Sequence, residues 1–187
     1  MHARKHGLWL ILSTLLLALG AQITPALGDA AKDRAEIDKE SAAALKDFQA
    51  MKGAQSLFDK AAGYATFSVT KGGLGASGAG GGGVAVDKKG GTRTYMRTGG
   101  AGVGFTFGLS KYDVIILFET LDKFNAFKKG GWDSAATAQA AAGTKGAEVS
   151  QTFFEGVAYF QIGRKGLMAS ADVSGTKFWV AEELNAK

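Results

Sequence analysis

The 187-residue sequence contains no cysteine, which excludes disulfide bonds, thiolate metal ligands, cysteine nucleophiles and lipid-modified cysteine. Its only proline, Pro25, and its two histidines, His2 and His6, all lie near the N-terminus. If this segment is removed, a Ser-His-Asp triad and imidazole metal ligands are also excluded. The remaining chain must be stabilised by packing, and any catalysis would have to use carboxylates or lysines.

The N-terminal segment has the order of regions of a secretory signal peptide. Basic residues precede an unbroken run of apolar and small residues from position 8 to 21, which is shorter than the ~20 residues of a membrane-spanning helix. We expect cleavage after Gly28, with Ala21 as the alternative, and an uncleaved N-terminal anchor remains the other interpretation. The sequence therefore predicts a signal peptide at 1–28 and a single domain at 29–187 that is exported to the periplasm or secreted, peripheral to a membrane.

The basic residues are concentrated in a glycine-rich segment between positions 71 and 111. Only Asp87 opposes the six lysines and arginines of this segment. Such a segment is often a solvated face, but it can also attract the protein to an anionic surface. The candidate lipid-binding residues are Lys71, Arg93, Arg97 and Lys111. Arg93 and Arg97 should share one face of a strand, because they are four residues apart.

The segment before the glycines has helical spacing of its apolar residues. This spacing extends over 30–62, and Gly53 should kink or split the helix. Gly63 stands where the residue after a helix C-terminus is expected. We predict a helical arm at 29–63 that docks against a sheet, with contact to a membrane or a partner as the alternative.

From Tyr64 onward the period of the apolar residues changes to two, which is typical of strands. The sharpest alternation runs from Ala101 to Leu109, where one face is large and apolar and the other is mostly glycine. Glycine weakens a strand, so such a row indicates strong bending or a close approach. Strands are predicted at 64–70, 84–86, 92–98, 101–109, 112–118, 154–162, 167–173 and 177–180, with a short helix at 120–129. The predicted fold is α+β, with a curved, barrel-like antiparallel sheet in a β-rich body at 64–187.

Two glycine motifs resemble dinucleotide-binding fingerprints. Gly73–Gly78 and Gly78–Gly83 both match G-x-G-x-x-G. The fingerprint requires a following helix whose N-terminus holds the pyrophosphate, and here the strand-like segment 84–86 follows. The pattern therefore favours glycines that permit a tight backbone crossing over nucleotide binding.

The ordered motifs from Ala61–Phe67 and Thr70–Gly75 to Lys165–Ala169 resemble the SYLF lipid-binding family. The resemblance spans about residues 54–180. It implies an α+β fold with a barrel-like sheet and binding of membrane lipids, phosphoinositide-like in eukaryotic members, while some relatives, including the yeast type, bind actin. It implies no enzymatic activity, and Lys71 matches the lysine that precedes the family's glycines.

The chain departs from this family pattern at one position and in one property. Ser68 follows Phe67 where the family usually has proline, which affects the local turn geometry. In addition, an exported protein would not meet cytosolic phosphoinositides or actin unless it were delivered to a host. The lipid species therefore cannot be carried over from the family.

The sequence thus predicts an exported, non-catalytic module that binds anionic membrane lipid through a basic glycine-rich surface, without a cofactor, a metal or nucleic acid. A structural or adhesive envelope protein that binds another protein is the first alternative. A carboxylate-based enzyme is the second, and its nearest acidic grouping is Asp113, Glu119 and Asp122. Acidic residues at a strand end and a first helical turn are also favoured by the helix dipole alone.

Overall fold

A computed structural model describes residues 27–74, 76–102, 108–130, 152–163, 166–167 and 176–186. The helices in these ranges are α1 (Leu27–Gln49), α2 (Ala54–Lys60), α3 (Leu121–Gly130) and α4 (Glu182–Asn185). The strands are β1 (Gly63–Leu74), β2 (Ala76–Asp87), β3 (Arg93–Gly102), β4 (Gly108–Phe118), β5 (Val157–Gly163), β6 (Gly166–Leu167) and β7 (Thr176–Val180).

All seven strands form one antiparallel sheet in the order β6-β5-β4-β1-β2-β3-β7. β1, β2 and β3 follow one another as hairpins, and β4 returns to pair with the other side of β1. Among the described residues β6 and β7 do not pair with each other, so the sheet is open and curved. The predicted α+β class with a curved antiparallel sheet is confirmed.

Helices α1, α2 and α4 cover one face of the sheet, which we call the α1 face. The N-terminal half of α1 packs Ile37 on Val84 and Val86 of β2. Its C-terminal half places Phe48 on β5, where the rings of Phe48 and Phe160 lie 4.9 Å apart. Every second residue of each strand points to this side of the sheet. These residues therefore contact the apolar residues that lie along one side of α1.

The opposite face, which we call the α3 face, is closed by aromatic side chains. The rings of Phe118 and Phe127 lie 5.1 Å apart, and those of Phe67 and Phe178 lie 4.7 Å apart. Phe124 completes this cluster from α3 and is 1% exposed. Such pairs add stability beyond the area they bury.

The predicted helical arm at 29–63 corresponds to α1 and α2, but its predicted end at Gly63 is wrong. α1 and α2 are separated at Gly53, whose φ of 85° is left-handed and suits glycine. Gly63 does not follow the helix, because it is the first residue of β1 and Ala61 caps α2. A Cβ at Gly63 would lie 2.8 Å from the ring of Phe124, so glycine serves packing there.

The predicted continuous strand from Ala101 to Leu109 is wrong. β3 ends at Gly102, and β4 begins at Gly108 and runs in the opposite direction on the far side of β1 and β2. The alternation of apolar residues shows that side chains point to opposite faces of a strand, but it does not show where the chain reverses direction. Residues 103–107 lie outside the described residues, as do 168–175 of the strand predicted at 167–173 and the ambiguous segment 132–150.

Helix α4 was not predicted from the sequence. The side-chain amide of Asn185 donates to the carbonyl of Tyr95 at 2.8 Å and accepts from its backbone N–H at 3.0 Å. Arg34 of α1 donates to the carbonyl of Leu184 at 3.1 Å. The four-residue helix is thereby held between the edge of β3 and α1, through contacts that have no local sequence signal.

Candidate functional site

The sheet has two ends of different composition. A row is here the set of residues that lie directly opposite one another on successive strands. The row of Lys111, Thr70, Gly80, Gly99 and Lys177 marks the change. The glycine-rich end comprises this row and the residues beyond it, namely 70–74, 76–80, 99–102, 108–111 and 176–177. The packed end comprises 63–69, 81–87, 93–98 and 112–118, and it carries most of the buried side chains.

The glycines of the two ends differ in how much space surrounds them. A Cβ at Gly81 would overlap the backbone of Ser68, and one at Gly83 would overlap Thr66 and the ring of Phe67. At the glycine-rich end, a Cβ at Gly78 would meet nothing within 4 Å. The inner glycines therefore permit a close approach of the paired strands β1 and β2, whereas the sequence interpretation was a tight backbone crossing. Gly78 and Gly80 leave an open backbone surface.

Arg93 and Arg97 share the α1 face, as their spacing predicted. Nη1 of Arg93 lies 2.6 Å from Oδ1 of Asp38, and the hydroxyl of Tyr95 donates a hydrogen bond to Oδ2 of the same carboxylate. Arg97 is 3.2 Å from both Asp33 and Glu183. These contacts join the sheet to α1 and α4, so both guanidinium groups act in a partly exposed charge network between these elements.

Lys111 lies on the same face, at the border of the glycine-rich end. Its Nζ is 2.5 Å from Oε1 of Glu40, and a hydrogen bond to that carboxylate raises the pKa of Lys111. Beside this pair is a cleft of about 350 Å³ that reaches Asp47 and Asp113. Burial raises the pKa of Asp113, although a hydrogen bond from Ser68 and the charge of Lys111 act in the opposite direction.

Lys71 does not join the other three candidates. It lies opposite Ala79 and Ser110 and has the parity of Val69 and Phe67, which places it on the α3 face. The structure therefore brings Arg93, Arg97 and Lys111 together on the α1 face and leaves Lys71 on the other side of the same end of the sheet.

Three further residues of this region were missed by the sequence analysis as binding candidates. Leu109 is 85% exposed, although the alternation pattern assigned it to the large apolar face of a strand. Trp179 is 47% exposed on β7, and its indole extends over Gly99. Lys177 is exposed and makes no ion pair with the residues that the structure describes. No sequence signal could have grouped them, because β7 pairs with a strand about eighty residues earlier in the chain.

The described part of the chain contains no assembled site for carboxylate catalysis, nucleotide binding or metal binding. Asp113 precedes Glu119 by six residues along an extended strand, or roughly 20 Å at about 3.3 Å per residue, so the three predicted carboxylates do not converge. Gly78–Gly83 lies inside β2 and leads to no helix. Within the described ranges, no group of three potential metal-ligating side chains is present.

Comparison with known proteins places the chain in a family. Residues 99–187 match the model of the family described as Ysc84, Las17-binding protein actin regulator. The chain is also 39% identical over 142 residues to beta cell expansion factor A of Aeromonas veronii, an alignment that covers 76% of this chain and 54% of that protein. The chain belongs to the SYLF family. It spans about half the length of this curated relative.

The SYLF match begins at residue 99, in the row that borders the glycine-rich end, and continues through β4, α3 and the closing strands. The family is described by binding and regulation, with no reaction in its description. None of the helices that the structure describes is long and apolar enough to span a membrane.

Proposed function

We propose that this protein is an exported peripheral membrane protein that binds anionic lipid through the glycine-rich end of its sheet. One observation carries the proposal. The glycine-rich end contains Lys71, Lys111 and Lys177 and no acidic residue of its own, and it carries exposed Leu109 with exposed Trp179 beside it. Exposed apolar residues beside cations are typical of surfaces that meet a charged membrane.

The magnitudes are adequate for reversible binding. Each lysine or arginine near an anionic membrane contributes about 1 kcal/mol, and the attraction decays within a Debye length of about 8 Å at physiological salt. Three lysines at one end supply at most about 3 kcal/mol by this measure, or at most roughly a 150-fold preference for anionic over neutral membranes, because the ion pair with Glu40 offsets part of the charge of Lys111. The apolar side chains at this end add an attraction that does not depend on lipid charge.

The four cations selected from the sequence have different roles in this proposal. Lys71 and Lys111 lie at the glycine-rich end and act on lipid directly. Arg93 and Arg97 lie behind it and pair with acids of α1 and α4, so their main effect is to hold the helices on the sheet. The lipid class is defined only by its negative headgroup, which phosphoinositide-like lipids and other anionic lipids share.

The binding proposal is tested by sedimentation of the purified protein with neutral vesicles and with vesicles containing phosphatidylserine, at low and high salt. We expect tighter binding to anionic vesicles and weakening with salt. The double variant Lys71→Glu, Lys177→Glu should lose at least tenfold in affinity. The matched control, Lys60→Glu with Lys129→Glu, reverses two exposed cations on α2 and α3 and should bind as wild type. Equal binding to both vesicle types, or equal loss in the control, would contradict the proposal.

Export is a separate part of the proposal. The motive is the signal-like order of the first 28 residues, and mass spectrometry of the exported protein should find an N-terminus at or near Asp29. An intact Met1 in the exported fraction would show that cleavage does not occur there.

Protein binding is the second candidate, because the SYLF family is described by a protein partner. The exposed tryptophan on the edge strand β7 is the feature that favours it here. Capture experiments from envelope fractions with and without detergent separate the two, since a protein partner resists detergent and a lipid-mediated association does not.

A further inference from the structure

The side chains of the glycine-rich end lie at different distances from the packed end, measured along the strands. Leu109 lies two residues beyond Lys111 on the same strand and the same face, which is about 7 Å farther out at about 3.4 Å per residue. Its neighbours across the row are Gly72 and Gly78, which offer no side chain to cover it. Leu109 is therefore the most protruding of the described large apolar side chains at this end.

The row of Lys111, Thr70, Gly80, Gly99 and Lys177 lies behind Leu109 and crosses five strands of the sheet, from β4 to β7. Lys111 and Lys177 stand at its two ends, separated by four strand spacings, or about 19 Å at about 4.8 Å each. They are too far apart to bind one phosphate and would contact separate headgroups. The indole of Trp179 extends over Gly99 in this same row, and tryptophan favours the boundary between headgroups and acyl chains.

From position 29 to its end, helix α1 has no free apolar side to offer to a membrane while it is docked. Its apolar stripe, including Ile37 and Phe48, is buried on the sheet. Between positions 29 and 49 its exposed positions are only alanine or charged residues, namely Asp29, Ala31, Lys32, Ala35, Glu36, Lys39, Ala42, Ala43, Lys46 and Asp47. Release of α1 would also break its ion pairs with Arg93, Arg97 and Lys111.

Resting on the proposed function, we infer that the sheet meets the anionic bilayer end-on. Leu109 enters the acyl boundary, the row of Lys111 and Lys177 lies among the headgroups with the indole of Trp179, and α1 stays docked on the sheet outside the bilayer. The spacing of about 7 Å between the apolar and cationic levels matches the 5–10 Å burial depth of interfacial apolar groups. The intervening row contains Ser110, Lys71 and Ala79, and it has no acidic side chain that would oppose an anionic membrane.

The absence of cysteine allows this geometry to be tested with single-cysteine variants that carry an environment-sensitive fluorophore. Leu109→Cys reports on the proposed deepest position. Gly78→Cys reports on the same row with Leu109 intact, since a side chain there meets nothing within 4 Å. Ala42→Cys on α1 and Ser56→Cys on α2 are matched exposed controls. Emission and quenching by acyl-chain-labelled lipid are measured on phosphatidylserine-containing vesicles.

We expect the labels at 109 and 78 to gain intensity at least twofold and to be quenched by the acyl-chain quencher, while those at 42 and 56 do not change. Entry of the label at 42 without entry at 78 would overturn the inference in favour of a released α1. Sedimentation with no spectral change at 78 or 109 would overturn it in favour of surface adsorption and would leave the proposed function intact. Failure to sediment with any vesicle would remove both proposals. Leu109→Asp in the unlabelled chain should weaken vesicle binding at least fivefold without lowering the melting temperature.

Discussion

The packed end and the glycine-rich end are built from the same strands, yet they respond to different constraints. At the packed end both faces of the sheet are covered, and even the glycines Gly81 and Gly83 are required by the space around them. At the glycine-rich end Gly78 and Gly80 have room for a side chain, and Leu109 is exposed to solvent. Within about four residues, at the row of Lys111 and Lys177, a strand in this fold therefore changes from one with buried side chains to one with exposed side chains. The contrast separates substitutions that affect folding from those that affect binding.

The largest expected effect is on stability at an inner glycine. Gly83→Val should destabilise the protein by at least about 3 kcal/mol or prevent folding, because its side chain would overlap Thr66 and Phe67. Gly80→Val is the matched control three residues away, and it should change stability by no more than about 1 kcal/mol. Thermal and urea unfolding monitored by circular dichroism measure both. Equal losses of stability in the two variants would contradict the proposed difference between the packed end and the glycine-rich end.

The second comparison uses large apolar residues of β4. Phe118→Ala removes a fully buried ring that packs on Phe124 and Phe127, and it should cost about 3–5 kcal/mol. Leu109→Ala on the same strand should cost less than about 0.5 kcal/mol, because its side chain is exposed. Chemical denaturation gives both values. A destabilisation above 2 kcal/mol in Leu109→Ala, by the scale of a buried leucine, would show that this residue is covered in solution.

A smaller effect is expected where the sheet is joined to the helices by charge. Arg97→Ala removes the contacts with Asp33 and Glu183, and we expect a loss of about 1 kcal/mol, since the pairs are partly exposed. High salt should reduce the difference in unfolding free energy between Arg97→Ala and the wild-type protein. Lys177→Ala, in the adjacent part of the sheet, should leave stability unchanged but weaken binding to anionic vesicles. Unfolding titrations at two salt concentrations test the first variant, and vesicle sedimentation tests the second.

The smallest effect is the pH dependence contributed by Asp113. Burial raises the pKa of this carboxyl in the folded state, so the folded protein holds the proton more tightly than the unfolded chain. The carboxylate therefore lowers stability above its folded pKa, and this loss disappears as the pH falls below its unfolded pKa of about 3.9. Asp113→Asn should melt slightly higher than wild type at neutral pH and equally at low pH. A lower melting temperature at neutral pH would mean that the charge is favourable there.

Much of the fold could be predicted from local patterns. The split of the helical arm at Gly53, the two faces of β1 and the turn after Asp87 follow from helical spacing, strand alternation and turn residues, which act over a few positions. The reversal between Gly102 and Gly108 was missed, because glycine-rich alternation continues through both strands. The role of Gly63 was missed for a related reason, since its contact with Phe124 joins residues that are far apart in the chain.

The candidate site was predicted only as a set of residues. Sequence parity correctly placed Arg93 and Arg97 on one face, but it could not show that acids of α1 and α4 pair with them. It also could not place Lys71 on the opposite face or bring Lys177 into the row of Lys111. These relations depend on which strands become neighbours, and that order is β6-β5-β4-β1-β2-β3-β7 rather than the order of the chain.

By itself, the sequence determined the helical arm, the α+β class, the absence of thiol and disulfide chemistry, and the resemblance to the SYLF family. Each of these depends on composition or on periodicity between residues close in the chain. Only the tertiary structure decided which glycines are required by packing and which lie open, which cations are paired, and which apolar residues remain exposed. The physical reason is that burial and electrostatic pairing are set by residues that meet across strands, and those contacts exist only after the chain has folded.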